Sequence, residues 1–211
     1  MNVADPDLTT PDLTTPDLTT PATETMPVRR RTLIATSLMG ILMSESADAQ
    51  PTLDPANTLY MELKDGRVVI ELRPDIAPGH VARVKELVAK KFYDNTPFHR
   101  VIEGFMAQGG DPTGTGMGGS DLPNLKAEFS NTARFLRGTV GAARSGDPNS
   151  ANSQFYIMFA PSAHLDGQYT IWGRVVAGME FVDKIKRGAG GNGQVQNPDR
   201  IIRARMANDP Q

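Results

Sequence analysis

Residues 98–111 read Phe-His-Arg-Val-Ile-Glu-Gly-Phe-Met-Ala-Gln-Gly-Gly-Asp, and they are the most informative stretch of the chain. One cationic donor (Arg100), one amide (Gln108) and two large apolar side chains (Phe105 and Met106) fall within nine residues. No nucleophile, metal-ligand cluster or acid–base pair accompanies them. An apolar pocket with a few aimed donors suits a reaction that breaks no covalent bond. Rotation about a prolyl peptide bond is the reaction that this set first indicates.

The composition of the chain narrows the remaining possibilities. With 211 residues there is room for one ordinary domain plus extensions. A net charge of −2 gives no support for nucleic acid or an anionic membrane surface as a partner. The chain has no cysteine, which excludes disulfides, thiolate catalysis and cysteine-ligated zinc. The three histidines do not fall in a ligand spacing, so we expect no metal and no cofactor.

The amino-terminal segments are predicted not to belong to the folded domain. Residues 1–25 contain Pro-Asp-Leu-Thr-Thr three times in tandem, and a short repeat with proline in every unit predicts a disordered extension. Met26 offers an alternative start of translation. Residues 26–49 combine three arginines, an apolar run (Leu33 to Met43) and Ala47-Asp48-Ala49, which predicts a secretory signal. Arg30-Arg31 also resembles a twin-arginine signal. We therefore expect a periplasmic or secreted protein beginning at Gln50.

The rest of the chain is predicted to form one domain, residues 58–206, between a linker (50–57) and a tail (207–211). Period-two patterns and turn residues predict eight strands, and Asp65-Gly66 predicts a hairpin between the first two. The strands are expected at 59–63, 67–72, 98–102, 105–108, 138–143, 154–159, 170–175 and 201–206. Helical spacing follows Pro78, and a second helix is expected at 179–186. These elements predict a mainly β protein, a closed antiparallel barrel capped by two α-helices. The spacing of the strands alone does not distinguish this barrel from a β-sandwich.

Two further stretches carry a family resemblance. Residues 138–157 read Gly-Thr-Val-Gly-Ala-Ala-Arg-Ser-Gly-Asp-Pro-Asn-Ser-Ala-Asn-Ser-Gln-Phe-Tyr-Ile, and residues 165–175 read Leu-Asp-Gly-Gln-Tyr-Thr-Ile-Trp-Gly-Arg-Val. Together with residues 98–111, in this order and at this spacing, they resemble the cyclophilin-type peptidyl-prolyl isomerases from Thr58 to Met206. The resemblance implies an eight-stranded barrel, two capping helices and acceleration of cis/trans rotation at X–Pro bonds.

The resemblance also implies roles for individual residues. Arg100 matches the catalytic arginine, and Gln108 and Gln154 match polar groups that bind the substrate backbone. The walls of the proline pocket match Phe105, Met106 and Leu165. Ala143 and Arg144 match the segment that pairs with the peptide on the amino side of the proline. The remaining substrate-binding positions are Tyr156, His164 and Tyr169.

At three of these positions the chain departs from the common pattern of the family. Tyr156 stands where phenylalanine is more frequent, Tyr169 where many eukaryotic members have histidine, and His164 where many have tryptophan. That tryptophan contributes to cyclosporin binding, so the resemblance implies at most weak cyclosporin binding here. The partners expected are proline-containing peptides and unfolded exported proteins. We expect a monomer that does not contact the membrane once the signal is removed.

Plainer interpretations compete at several positions. Arg100 taken alone would be an ordinary surface cation, and Phe105 and Met106 could both be core residues. His80 is predicted to face solvent on the first helix. Gly114 to Gly119 contains a formal GxGxxG without a following helix, which favours a loop over a dinucleotide site. The alternative function is a proline-peptide-binding chaperone with incidental turnover.

Overall fold

The computed structural model describes residues 52–209. The predicted repeat at 1–25 and the predicted signal at 26–49 lie outside the described residues, as do Gln50, Pro51 and the last two residues of the chain. Within residues 52–209, no helix combines the length and the apolar character that crossing a bilayer requires.

Eight strands form a single antiparallel sheet, which confirms the mainly β prediction. The strands are β1 (Thr58–Leu63), β2 (Gly66–Leu72), β3 (Arg100–Ile102), β4 (Met106–Gly109), β5 (Thr139–Ala142), β6 (Phe155–Met158), β7 (Ile171–Ala177) and β8 (Arg203–Met206). Their order across the sheet is β3-β4-β6-β5-β7-β2-β1-β8. The helices are α1 (Pro78–Ala89) and α2 (Met179–Val182), with short 3-10 turns at Pro55–Asn57 and Ala163–Leu165. The predicted hairpin is present, since Leu63 pairs with Gly66.

The predicted closure of the barrel is not confirmed. Strands β3 and β8 are the two edges of the sheet and do not pair with each other. The segments just before them do meet, because the Phe98 amide donates to the Asp199 carbonyl and the Ile201 amide donates to the Thr96 carbonyl. The result is an open, strongly curled sheet. The amides of Ala204 and Met206 on β8 donate to the carboxylates of Asp94 and Asp209 instead of to a neighbouring strand.

Buried apolar side chains form two clusters, and the candidate site lies over the smaller one. The larger cluster fills the inside of the curled sheet, where Val81, Val84, Leu87 and Val88 of α1 pack against the strands. The smaller cluster comprises Met106, Phe135, Tyr156, Met158, Leu165 and Ile171. Three of its members come from β4 and β6, where Tyr156 and Met158 share a face because successive side chains of a strand point to opposite faces; the others come from the start of β7 and from connecting segments. This second cluster forms the floor of the candidate site.

Two sequence predictions about the helices are wrong. His80 does not face solvent: it is buried on α1 beside Glu128. The second helix ends at Val182 and not at Lys186. Beyond Val182 the amides of Lys184 and Ile185 bond three residues back, and the Lys186 amide donates to the Asp199 carboxylate. This side-chain acceptor takes the amide that a continuing helix would have used. Helical spacing in this segment predicts that Phe181, Val182 and Ile185 face inward; Val182 and Ile185 are buried, whereas Phe181 is half-buried.

Candidate active site

A row of directly paired residues crosses four neighbouring strands. Arg100 on β3 pairs with Gln108 on β4, Gln108 pairs with Tyr156 on β6, and Tyr156 pairs with Gly141 on β5. Paired side chains on one face of a sheet are neighbours, so a cation, an amide and an aromatic ring lie side by side. A Cβ at Gly141 would lie 2.8 Å from the Tyr156 hydroxyl oxygen and 2.7 Å from the Phe135 ring. Glycine at this position therefore leaves the space that the tyrosine ring fills.

A cavity of about 380 Å³ opens over this row. Its apolar end is formed by Phe105, Met106, Tyr156 and Leu165, of which all but Phe105 are buried. At the rim, the exposed imidazole of His164 stacks on Phe105 with the ring centres 5.9 Å apart. The cavity thus has the apolar wall and the few convergent polar groups of a small-ligand site.

The polar end is organised by an amide relay, by which we mean the side chains of Arg100, Gln108 and Gln154. A terminal nitrogen of Arg100 donates to Gln108 Oε1 over 3.1 Å, and Gln108 Nε2 donates to Gln154 Oε1 over 2.9 Å. Gln154 Nε2 in turn donates to the carbonyls of Gly116 and Gly118. Arg100 Nε is tied separately to the Asn192 carbonyl, at 2.9 Å. The relay leaves the second terminal nitrogen of Arg100 for a ligand, because no acceptor among residues 52–209 binds it.

The glycine-rich loop at the end of the relay is wrapped around one carboxylate. Buried Asp111 accepts hydrogen bonds from the amides of Thr113, Gly116 and Gly118 and from the Thr113 hydroxyl. Burial alone would raise the pKa of Asp111, but these hydrogen bonds outweigh it and hold the pKa below its ordinary value. The loop holds a carboxylate and is not followed by a helix, so a dinucleotide site is not formed here.

Arg144 lies between this cavity and a second one of about 510 Å³. Its guanidinium stands 4.2 Å from the centre of the Tyr169 ring. Its terminal nitrogens donate to the carbonyls of Ser145 and Gln168. The second cavity is bordered on its other side by the loop from Gly116 to Ser120.

Ten of the eleven predicted site residues line the first cavity; they are Arg100, Phe105, Met106, Gln108, Ala143, Arg144, Tyr156, His164, Leu165 and Tyr169. Gln154 lies in the second cavity and reaches the first only through Gln108. Sequence reasoning missed Gln168, which lines the first cavity beside Tyr169. It also missed Asn192 and Asp111. Asn192 acts through a backbone carbonyl, which leaves no signal in residue type, whereas the unpaired acid after Gly109-Gly110 was a signal that could have been used.

Tyr156 is the position where the pocket departs most visibly from a purely apolar wall. Its hydroxyl is buried and makes no hydrogen bond with any residue from 52 to 209. Burial raises the pKa of Tyr156, so the phenol stays protonated at ordinary pH. The ring therefore serves the cavity as an apolar surface and not as an acid or a base. In the same range, no three His, Cys, Asp or Glu side chains lie close enough to hold a metal ion.

The known proteins that this chain resembles in sequence are peptidyl-prolyl cis-trans isomerases. A family model described as "Cyclophilin type peptidyl-prolyl cis-trans isomerase/CLD" matches residues 58–206. A probable peptidyl-prolyl cis-trans isomerase of Brucella suis is 49% identical over 191 residues, covering 85% of this chain and 97% of that protein. Peptidyl-prolyl cis-trans isomerase B of Bacillus subtilis is 41% identical over 133 residues, covering 62% of this chain and 92% of its own length.

Solved structures agree with the sequence relatives. A cyclophilin from Hirschia baltica superposes with a TM-score of 0.67 at 30% identity, covering 75% of this chain and 77% of the other. A cyclophilin type isomerase of Cryptosporidium parvum, crystallised in the presence of the dipeptide Ala-Pro, gives a TM-score of 0.66 at 28% identity over 71% of this chain and 98% of that one.

Proposed function

The chain belongs to the cyclophilin-type peptidyl-prolyl cis-trans isomerases, and we propose that the cavity beside Arg100 is where it turns X–Pro bonds of exported proteins. The single observation that supports this site most strongly is the hydrogen bond from Arg100 to Gln108 at the mouth of an apolar pocket. A cation is held there in a fixed orientation, next to the apolar wall formed by Phe105, Met106 and Leu165.

The chemistry requires a donor that prefers the twisted amide to the planar one. The barrier to rotation is about 18–20 kcal/mol because resonance between nitrogen and carbonyl must be broken. In the twisted state the prolyl nitrogen regains a lone pair, so a donor aimed at it binds the transition state better than the ground state. Arginine suits this role because it stays charged and its donors are held in one plane. Two of the three guanidinium nitrogens of Arg100 are anchored, at Asn192 and Gln108, and the third is left to the substrate.

One hydrogen bond does not account for the rate. A charge-assisted hydrogen bond contributes about 1.5–3 kcal/mol, whereas a ten-thousandfold acceleration needs about 5.5 kcal/mol. The rest must come from holding the proline ring while the preceding carbonyl turns, and from an apolar site that disfavours the charge-separated planar amide. Phe105, Met106 and Leu165 supply that surface in the proposal. The peptide on the amino side of the proline runs along Ala143 and Arg144 towards the second cavity. The Ala-Pro dipeptide named for the Cryptosporidium parvum structure supports a proline-peptide ligand.

A cis–trans exchange assay on a short Ala-Pro peptide tests the site. Arg100→Ala should lower kcat/KM by about tenfold or more, and Arg100→Lys should restore only part, since an ammonium lacks the planar donor set. Arg203→Ala, which removes an exposed arginine on β8, serves as the control and should keep full turnover. If Arg100→Ala turns over normally, the transition-state role is wrongly assigned. If the wild type binds the peptide without accelerating exchange, the chaperone alternative is correct.

Export is the second part of the proposal. It is supported by the basic run Arg29 to Arg31, the apolar run that follows it, and Ala47-Asp48-Ala49. Mass analysis of protein from a periplasmic fraction should give an amino terminus at Gln50. Recovery of only uncut protein, in the cytoplasm, would contradict export and leave the isomerase assignment untouched.

A further inference from the structure

Arg144 is the cation best placed to bind a side chain of the substrate. It lines both cavities, and it is half-buried. One face of its guanidinium covers the Tyr169 ring, and its terminal nitrogens are held by the carbonyls of Ser145 and Gln168. The nitrogen bound to Ser145 also donates to the Gly146 carbonyl over 3.5 Å. The nitrogen bound to Gln168 keeps a second hydrogen that no acceptor among residues 52–209 uses, and Nε has no partner in that range. The group is thus fixed in orientation while part of its donor edge stays available, which is the arrangement that binds a carboxylate well.

No carboxylate of the chain neutralises this position. Two arginines and no aspartate or glutamate line the two cavities. Within residues 52–209, neither Arg100 nor Arg144 has a carboxylate oxygen within 4.0 Å. The nearby acids are engaged elsewhere. Asp111 is enclosed by its own loop, Asp166 bonds the Phe135 amide and Arg134, and Asp147 accepts from the Asn149 amide.

The two arginines have different surroundings, which separates their roles. Arg100 faces the apolar end of the first cavity, where the proline ring is proposed to lie. Arg144 lies where the first cavity joins the second, on the path of the residues that precede the proline. A charge on one of those residues would therefore meet Arg144 first.

We propose that Arg144 makes this enzyme select X–Pro bonds that carry an acidic side chain at one of the two residues before the proline. This inference rests on the proposed function, in which the amino side of the peptide runs along Ala143 and Arg144. A glutamate or aspartate there gains a charge-assisted pair with Arg144, while a lysine meets an unneutralised cation. A plainer alternative is that Arg144 has only a structural role and links the loop at Ser145 to the loop at Gln168. Such a link would affect all peptides equally, so the ratio between peptides separates the two roles.

The test uses matched peptides and measures exchange by NMR, so that no protease preference enters. The series carries Glu, Gln or Lys at each of the two positions before the proline, with a further peptide that has Glu two residues after it. The wild type at low salt should favour Glu over Gln by about fivefold in kcat/KM, with Lys below Gln. The ratio of kcat/KM for the Glu peptide to that for the Gln peptide should fall towards one in about 0.5 M salt because the charges are screened. Glu placed after the proline should bring no gain.

Two variants complete the design. Arg144→Gln should bring the Glu/Gln ratio close to one whatever it does to absolute turnover. Arg203→Gln, which removes the same charge at the exposed first residue of β8, should keep the wild-type ratio. Equal rates for Glu and Gln peptides in the wild type, or a preference that survives in Arg144→Gln, would overturn the proposal. If no peptide is turned over, the proposed function fails instead. The Glu/Gln ratio of dissociation constants, from shift titrations of the same peptides, then decides the role of Arg144.

Discussion

The Nδ1 atom of His80 lies 2.6 Å from Oε2 of Glu128, although 48 residues separate the two in the chain. His80 is in the first turn of α1, whose N-cap residue, Ala77, provides no side-chain hydrogen bond. Glu128 replaces that cap from a distance, because its two oxygens also accept the amides of Gly79 and His80. The Glu128 amide donates to the Thr170 hydroxyl, next to Tyr169 of the cavity. One carboxylate thus joins the start of a helix to the loop beside the site.

The pair is a neutral imidazole donating to a carboxylate. Burial lowers the pKa of His80 and outweighs the opposite effect of Glu128. For Glu128, burial raises the pKa, but the hydrogen bonds from His80 and Gly79 outweigh it and lower the pKa below its ordinary value. Nε2 of His80 is buried and has no acceptor among residues 52–209, so a second proton there would be unpaired.

Stability should therefore fall as the solution is acidified below the ordinary histidine pKa of 6.5. The unfolded chain takes up a proton at His80 that the folded chain excludes. Because only the unfolded state binds this proton, a higher proton concentration favours unfolding. His99, also buried with a lowered pKa, acts in the same direction. His80→Asn keeps a donor near Glu128 but does not titrate. Its free energy of unfolding should depend less steeply on pH between about 7 and 5 than that of the wild type. The Glu128 contribution is lost only below its ordinary pKa of 4.5, outside this window. Urea denaturation at several pH values measures the free energy of unfolding of both proteins. If that free energy changes with pH equally in the two, His80 does not exclude the proton in the folded state.

Replacing the carboxylate itself should cost stability at neutral pH. Glu128→Gln turns one of two acceptor oxygens into a donor facing other donors, and we expect a loss of about 1–3 kcal/mol in the free energy of unfolding. Glu86→Gln on α1 is the matched control, since its ion pair with Lys90 is exposed and its contact with the mostly buried Arg83 is 4.0 Å long, so the two together should contribute less than about 1 kcal/mol. Chemical denaturation of both variants measures the difference. Equal losses would mean that Glu128 does not cap the helix.

The amide relay predicts that Gln154 acts on catalysis without lining the first cavity. Gln154→Leu removes the acceptor of Gln108 Nε2 and the donor to the carbonyls of Gly116 and Gly118. Because Gln108 then loses its fixed orientation, kcat/KM should fall by about tenfold. Gln196→Leu makes the same chemical change at an exposed position and should leave turnover intact. Wild-type kcat/KM in Gln154→Leu would show that Gln108 is held by Arg100 alone.

Inhibition by cyclosporin should be weak and should depend on His164. The imidazole stacks on Phe105 at the rim, but it offers a smaller apolar face than an indole and its nitrogens would lose water under a hydrophobic macrocycle. His164→Trp should tighten inhibition while changing turnover little, since the apolar end of the cavity is untouched. Inhibition curves on one peptide substrate compare the two proteins. If the wild type is already inhibited as strongly as the variant, the rim residue does not control the drug.

Much of the site could be predicted from the chain because it lies on strands. Arg100, Met106 and Gln108 belong to two short strands, where alternation and pairing bring near neighbours together. Phe105 lies in the tight turn that joins these strands. Hydrophobic patterning also indicated every strand and the start of both helices. These features depend on residue type and on spacing over a few residues, which is the information that a sequence carries directly.

Contacts between distant segments were decided by the tertiary structure. The burial of His80 depends on a carboxylate from a loop 48 residues away, and helical spacing could not show which face Glu128 would cover. The anchor of Arg100 at Asn192 and that of Gln154 at Gly116 are backbone carbonyls, which every residue type possesses. The open edge between β3 and β8 likewise follows from how far the sheet curls. Residue types determined which chemistry is available, and the packing of remote segments determined how those groups are held.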